Sequence, residues 1–349
     1  MNRRNFLAAS AAVATLVPAT TSRAQAAKPL KVIIPAMSPE PLSELRAAAP
    51  GVELVQCSSE DEAVERVVDA DACYGFLSRR LIRAGKSLKW VQQPSAGVEH
   101  LIEIPEFVDG AIILTNMQRM YGPEIADQAL GYLLAFTRDL SYFIRAQSNH
   151  RRSPARDGFV LEELAGKTLL VIGLGGIGSE IARRANAFGM RVLSTDPKVM
   201  ERPLFVEELH RPDAFHTLLP RADVVASAVP LTKASRKMIG AREFAMMKPG
   251  TILINVSRGG VVDTDALVAA LDSRRIAAAG LDVTDPEPPP PGSPLYGVPN
   301  LIVAPHIASA TVGTRDAMAD ICARNLLGGV RGEELPHGVN PEVAQTRRK

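Results

Sequence analysis

Apolar and polar residues come in alternating blocks along this chain. From residue 30 onward, short runs rich in valine, isoleucine and leucine are separated by stretches with helical spacing. The runs 30–35, 52–56, 72–76, 88–92 and 111–115 predict strands, and 42–49, 60–68 and 79–84 between them predict helices. Gly122-Pro123 opens a longer helical pattern from Glu124 to about Gln147, with Ile125, Ala129, Leu133 and Phe136 on one face. A second alternation begins at Thr168, with strand-like runs at 169–172, 191–195, 224–228, 252–256, 277–281 and 301–304. The pattern turns helical again from 311 to about 327. Strand–helix alternation of this kind predicts an α/β chain with two doubly wound parallel sheets.

The turn between the first strand and first helix of the second block reads Gly173-Leu-Gly175-Gly176-Ile177-Gly178. A lone G-x-G-x-x-G is a weak signal; with strand, helix and a following acidic residue in register it is the dinucleotide-binding fingerprint. Gly173 permits the tight turn, Gly175 lets backbone approach a pyrophosphate, and Gly178 lets helix and strand pack closely. The pyrophosphate is expected at the helix N-terminus, where unpaired N–H groups favour an anion. Asp196 stands eighteen residues after Gly178. A carboxylate there accepts from a ribose 2′-hydroxyl and repels a 2′-phosphate, which favours NAD over NADP. Lys198 and Arg202 lie near enough in sequence to soften that preference.

Composition narrows the class. A chain of 349 residues suggests two domains, and 46% hydrophobic with 22% charged residues is an ordinary globular mix. The net charge is +2, and no long basic run lies outside the N-terminus, so nucleic acid is not an expected partner. Residues 1–26 read separately: Arg3-Arg4 before Phe6-Leu7, an apolar alanine-rich run to Val17, and Ala24-Gln-Ala26 as a small-x-small cleavage signal. That is the layout of a twin-arginine signal peptide, with export to the periplasm and no lasting membrane association. Its removal leaves 37 basic against 38 acidic residues. Cys57, Cys73 and Cys322 lack metal-ligand spacing, and no metal is expected; Cys57 and Cys73 fall on predicted strands and read as buried thiols.

Three late segments carry polar side chains just past predicted strands, at the carboxyl edge where open α/β sheets bind ligands. They contain Arg258, Glu287 and His306. Each alone has a bland reading as a surface ion pair, a solvated carboxylate or a structural donor. Together they fit alcohol oxidation and its reverse. A histidine moves the hydroxyl proton, a carboxylate fixes its tautomer, and an arginine fork holds a substrate carboxylate.

The motifs Pro94-Ser-Ala-Gly-Val98, the Gly173–Gly178 fingerprint, Val229-Pro-Leu-Thr232, the run from Lys248 through Arg258 to Asp263, Gly280-Leu-Asp-Val283 with Glu287-Pro288, and Pro305-His306-Ile307 together resemble the D-2-hydroxyacid dehydrogenase family, from about Lys31 to Asn340. The resemblance implies a Rossmann NAD-binding domain, 122–308, inserted into a flavodoxin-like substrate domain built from 27–121 and 309–349, with hinges near 122 and 309. It implies Arg258 as substrate anchor, His306 as acid/base and Glu287 as its partner. It assigns Ala96 and Gly97 to the loop whose amides face the substrate, Gly176 and Ile177 to the pyrophosphate turn, and Asp196 to the adenosine ribose. Val229, Val256 and Asp282 would line the cofactor, and the helix after Gly122 would serve a homodimer. Asp127-Gln128 and Thr284 depart from residues common in the family, which leaves the substrate side chain open, while Glu287 argues against formate. The expected activity is hydride transfer between NAD(H) and a small 2-keto or 2-hydroxy acid of the glyoxylate or hydroxypyruvate type. A non-catalytic NAD(H)-sensing protein of the same fold, like the C-terminal-binding-protein corepressors, is the alternative.

Overall fold

The computed structural model describes residues 29–98, 101, 104–117, 119–149, 161–198, 201–298, 300–311 and 325. The signal peptide expected over 1–26, Cys322 and nearly all of the helical stretch expected from 311 to 327 lie outside the described residues.

The first block holds β1 (Leu30–Pro35), α1 (Pro39–Ala48), β2 (Val52–Cys57), α2 (Glu60–Arg66), β3 (Ala72–Tyr74), α3 (Arg79–Ala84), β4 (Trp90–Gln92), α4 (Pro105–Val108) and β5 (Ile113–Thr115). These strands form one parallel sheet in the order β2-β1-β3-β4-β5, the flavodoxin-like arrangement. Both faces are covered, as a parallel sheet requires: Val32 and Ile34 join one core, and Ile33, Cys73, Val91 and Leu114 the other. Cys57 and Cys73 are buried free thiols, and burial pushes the Cys73 thiol up to about 12.

Two helices follow, α5 (Gly122–Thr137) and α6 (Leu140–Ser148). The single long helix expected there is broken at Asp139, which takes a left-handed φ of 51°. Aspartate tolerates that conformation better than most residues, so the apolar spacing continues across a turn that ends the hydrogen-bond ladder. Tyr132 of α5 packs against Gly280, donates to the Leu281 carbonyl at 3.2 Å, and is pushed up to about 12 by burial.

The second block holds β6 (Thr168–Ile172), α7 (Gly176–Ala187), β7 (Arg191–Thr195), β8 (Glu208–His210), α8 (Phe215–Leu218), β9 (Val224–Ser227), α9 (Ala241–Met246), β10 (Ile252–Asn255), α10 (Thr264–Asp272), β11 (Ala278–Leu281) and β12 (Leu301–Val303). Seven parallel strands run in the order β12-β11-β10-β9-β6-β7-β8. The sequence pattern predicts six. The seventh, β8, is a three-residue polar edge strand with no apolar alternation to announce it. The chain reverses its direction of travel between β6 and β9, and that switch point is where doubly wound sheets bind dinucleotides.

Candidate active site

Strand register lines up the chemistry. Thr195, Ile172, Ser227, Asn255, Leu281 and Val303 are paired in one row across β7, β6, β9, β10, β11 and β12. Asp196, Gly173, Val229, Val256, Arg258, Asp282 and His306 each follow that row by one to three residues. Six separate stretches of sequence thus deliver their polar ends to one carboxyl edge.

The dinucleotide turn is shaped by contacts that exclude side chains. Gly173 has φ +89°, and a Cβ on Gly178 would lie 1.8 Å from the Gly173 carbonyl oxygen. A Cβ on Gly175 would meet nothing within 4 Å, so the space in front of the α7 N-terminus is open and suited to a pyrophosphate. Val229 packs against Gly173, and Val256 is buried at the end of β10. Asp196 is 7% exposed. Its carboxylate accepts from the Leu174 and Lys198 backbone amides, both at 2.8 Å, which ties the glycine turn to the end of β7. Arg202 donates to the Val206 carbonyl.

The catalytic candidates are joined by an unbroken chain of contacts. His306 Nδ1 lies 2.6 Å from Glu287 Oε1, and both side chains remain substantially exposed, at 45% and 40%. Glu287 Oε2 accepts from the Thr284 amide at 3.2 Å. The Thr284 carbonyl presses on Gly259, where a Cβ would fall 1.8 Å from it. Gly259 follows Arg258, whose Nη1 donates to the Ser257 carbonyl at 2.7 Å. His306 itself takes φ 56°, a sparsely populated conformation held by its neighbours. Asp282 does part of that holding, accepting from the Ile307 and Ala308 amides at 3.1 and 3.2 Å. Burial raises the Asp282 carboxyl, against those two amides and the nearby imidazole, which favour its charge.

The loop after β4 is held by side chains of its own unit. Asn116 donates to the Ala96 carbonyl at 2.7 Å and Gln93 to the Gly97 carbonyl at 3.1 Å. The carbonyls are thereby tied down, while neither the Ala96 nor the Gly97 amide bonds another described residue. Asn325 donates to Gln92 Oε1 at 2.7 Å, so a residue far along the chain touches the first sheet.

Sequence reasoning missed Asn116 and Asn255. Asn255 is 1% exposed, accepts from the Ser257 amide and hydroxyl, and donates to the Arg258 carbonyl, which fixes the arginine loop. An asparagine ending an apolar strand run was the available signal, since a buried amide there must find partners. Among the described residues, no group of three histidine, cysteine, aspartate or glutamate side chains could hold a metal ion. No described helix is long and apolar enough to cross a membrane.

Comparison with known proteins agrees with this geometry. Residues 130–308 match the model of the D-isomer specific 2-hydroxyacid dehydrogenase, NAD binding domain. A glyoxylate reductase of Thermococcus gammatolerans is 39% identical over 82% of this chain and 87% of its own length. Among solved structures, a D-lactate dehydrogenase with NAD+ from Lactobacillus jensenii superposes with TM-score 0.71 at 29% identity, covering 89% of this chain and 99% of that one. A D-isomer specific 2-hydroxyacid dehydrogenase of Xanthobacter autotrophicus Py2, in complex with NADPH and MES, gives 0.76 at 26% identity, covering 90% and 99%. With two parallel α/β sheets, the dinucleotide turn and these relatives in hand, the chain belongs to the D-isomer specific 2-hydroxyacid dehydrogenase family and is a nicotinamide-dependent oxidoreductase.

Proposed function

We propose that this chain reduces a small 2-keto acid of the glyoxylate type with NADH. The observation that carries the reading is the 2.6 Å contact of His306 Nδ1 with Glu287 Oε1 beside the Arg258 loop. Glu287 accepts a hydrogen bond from Nδ1–H in that pair, which leaves Nε2 to face the substrate oxygen. The protonated imidazole gives its Nε2 proton to the carbonyl oxygen as that oxygen gains charge. Arg258 offers a guanidinium fork to the substrate carboxylate, and its charge polarises the adjacent carbonyl. The Ala96 and Gly97 amides add two neutral donors from the loop after β4. Asp282 positions the imidazole by gripping the Ile307 and Ala308 amides. The bound nicotinamide supplies the hydride.

Several features support NADH over NADPH. Asp196 places a buried carboxylate at the end of β7, and Arg202 is directed to a backbone carbonyl. Glyoxylate and lactate, the compounds for which the two relatives are named, both carry a carboxylate next to the reacting carbon. The test is NADH consumption across a panel of 2-keto acids. Glyoxylate and its small homologues should be turned over. Arg258→Gln should raise KM for the ketoacid far more than for NADH. A panel without turnover, or an unchanged ketoacid KM in Arg258→Gln, contradicts the assignment.

The layout of residues 27–121 and 309–349 around an inserted 122–308 is proposed as the domain plan, supported by the Asn325–Gln92 contact. A homodimer is proposed from the family resemblance; sedimentation at the mass of one chain contradicts it. Export through the twin-arginine route, proposed from Arg3-Arg4, moves folded protein. The enzyme would then leave the cytoplasm with its cofactor bound. Protein recovered from the periplasm should release nicotinamide dinucleotide on denaturation; recovery in the cytoplasm alone contradicts the proposal.

A further inference from the structure

The turn that receives the pyrophosphate carries an unassigned cation. Gly176 is the first residue of α7, a twelve-residue helix, and it has no side chain with which to meet a phosphate. The place of that side chain is taken from another part of the chain. A Cβ on Gly176 would lie 2.7 Å from Arg119 Cα, 3.1 Å from its Cβ and 3.0 Å from its Cγ. Arg119 sits on the crossover between the first sheet and α5, takes φ 70°, and is exposed. Three residues later the same crossover touches α7 again, since a Cβ on Gly122 would lie 2.9 Å from the Gly176 carbonyl oxygen.

This arrangement is electrostatically costly without an anion. The N-terminus of a helix carries partial positive charge, and Arg119, whose Cα, Cβ and Cγ pack on the first residue of α7, brings a cation to the same neighbourhood. Among the described residues no carboxylate pairs with Arg119. A non-glycine residue in the left-handed region is a further cost that persists where the surroundings impose it. The charge is met by one ligand, a doubly charged diphosphate held between the α7 amides and the arginine.

We propose that Arg119 is a cofactor-binding residue in this chain, a cation delivered from the interdomain crossover to the pyrophosphate of the dinucleotide above Gly176. The inference rests on the nicotinamide-dependent reading and adds a residue that the fingerprint does not contain. It also links cofactor binding to the crossover: the same contact that grips the diphosphate clamps the two domains at the hinge.

The test separates phosphate recognition from packing. NADH, ADP-ribose and adenosine are titrated against wild type, Arg119→Lys, Arg119→Gln and Arg119→Gly at low and high salt. The glycine variant keeps the left-handed backbone open to the residue, so its losses are not those of a strained turn. Loss of a charge-assisted contact should weaken NADH and ADP-ribose about tenfold in the Gln and Gly variants. Adenosine, which lacks phosphate, should bind all four proteins alike. The lysine variant should retain most of the affinity, and the salt dependence of ADP-ribose binding should flatten only where the charge is lost. Unchanged ADP-ribose affinity in the Gln and Gly variants overturns the proposal, as does an equal loss of adenosine. A wild type that binds none of the three overturns the cofactor reading itself, and this inference with it.

Discussion

Asp196 shows how one side chain serves structure and selectivity together. Each of its oxygens accepts one backbone amide, from Leu174 and from Lys198. A carboxylate oxygen has a second lone pair, so the hydrogen bonds that fix the glycine turn do not exhaust its capacity for a ribose hydroxyl. In the proposed NADH preference, its charge is what would reject a 2′-phosphate. Asp196→Asn preserves size and one acceptor but removes the charge. The NADH-over-NADPH preference of that variant, read as a ratio of kcat/KM values, should shrink about tenfold or more; an unaltered ratio contradicts the role. The sequence showed this residue because a position after the second strand of a fingerprint has a defined distance from Gly178. Asn116 and Asn255 had no such ruler. Asn116 bonds the Ala96 carbonyl twenty residues away, a partner brought near only by tertiary folding, while Asn255 bonds Ser257 and Arg258 of its own loop, so its place at the end of an apolar run was a signal without a stated distance to measure.

Elements carry the site by backbone contact as much as by side chains. Gly259 and Thr284 belong to loops after neighbouring strands, β10 and β11, and their main chains touch with no space for a Cβ. That contact sets the distance between the arginine loop and the glutamate loop. Gly259→Ala must part them, at a cost of about 1–3 kcal/mol from overpacking. The expected result is a lowered Tm together with a drop in kcat/KM measured well below that Tm. A variant with wild-type Tm and activity contradicts the role of the contact. Most elements were legible from period and composition. Strands buried on both faces read as apolar runs, and the arginine, glutamate and histidine loops fell just beyond them. The exceptions are instructive. Helical spacing runs on through the break at Asp139 because both helices bury a face with similar periodicity. The edge strand β8 escapes because three half-exposed residues, Glu208-Leu-His210, need no apolar pattern to pair with β7.

The whole molecule brings two α/β units together through α5, which packs along α7 and reaches β10 and β11. Its Asp127 pairs with Arg184 of α7, and a Glu180 carboxylate holds the same guanidinium. Asp127, one of the positions where the chain departs from the family pattern, therefore serves helix packing and stands apart from the Arg258–Glu287–His306 chain. The His306 imidazole and the Glu287 carboxylate are both exposed beyond the carboxyl edge of the second sheet. The account reduces to one requirement: the His306 imidazole moves the proton while the dinucleotide is held elsewhere, by the glycine turn. Reduction of glyoxylate and NADH binding are therefore separable, and His306→Ala separates them in one experiment. The variant should bind NADH as the wild type does, while kcat for reduction falls by about 10²–10⁴-fold. Wild-type turnover by the variant, or loss of NADH binding in step with activity, contradicts the account.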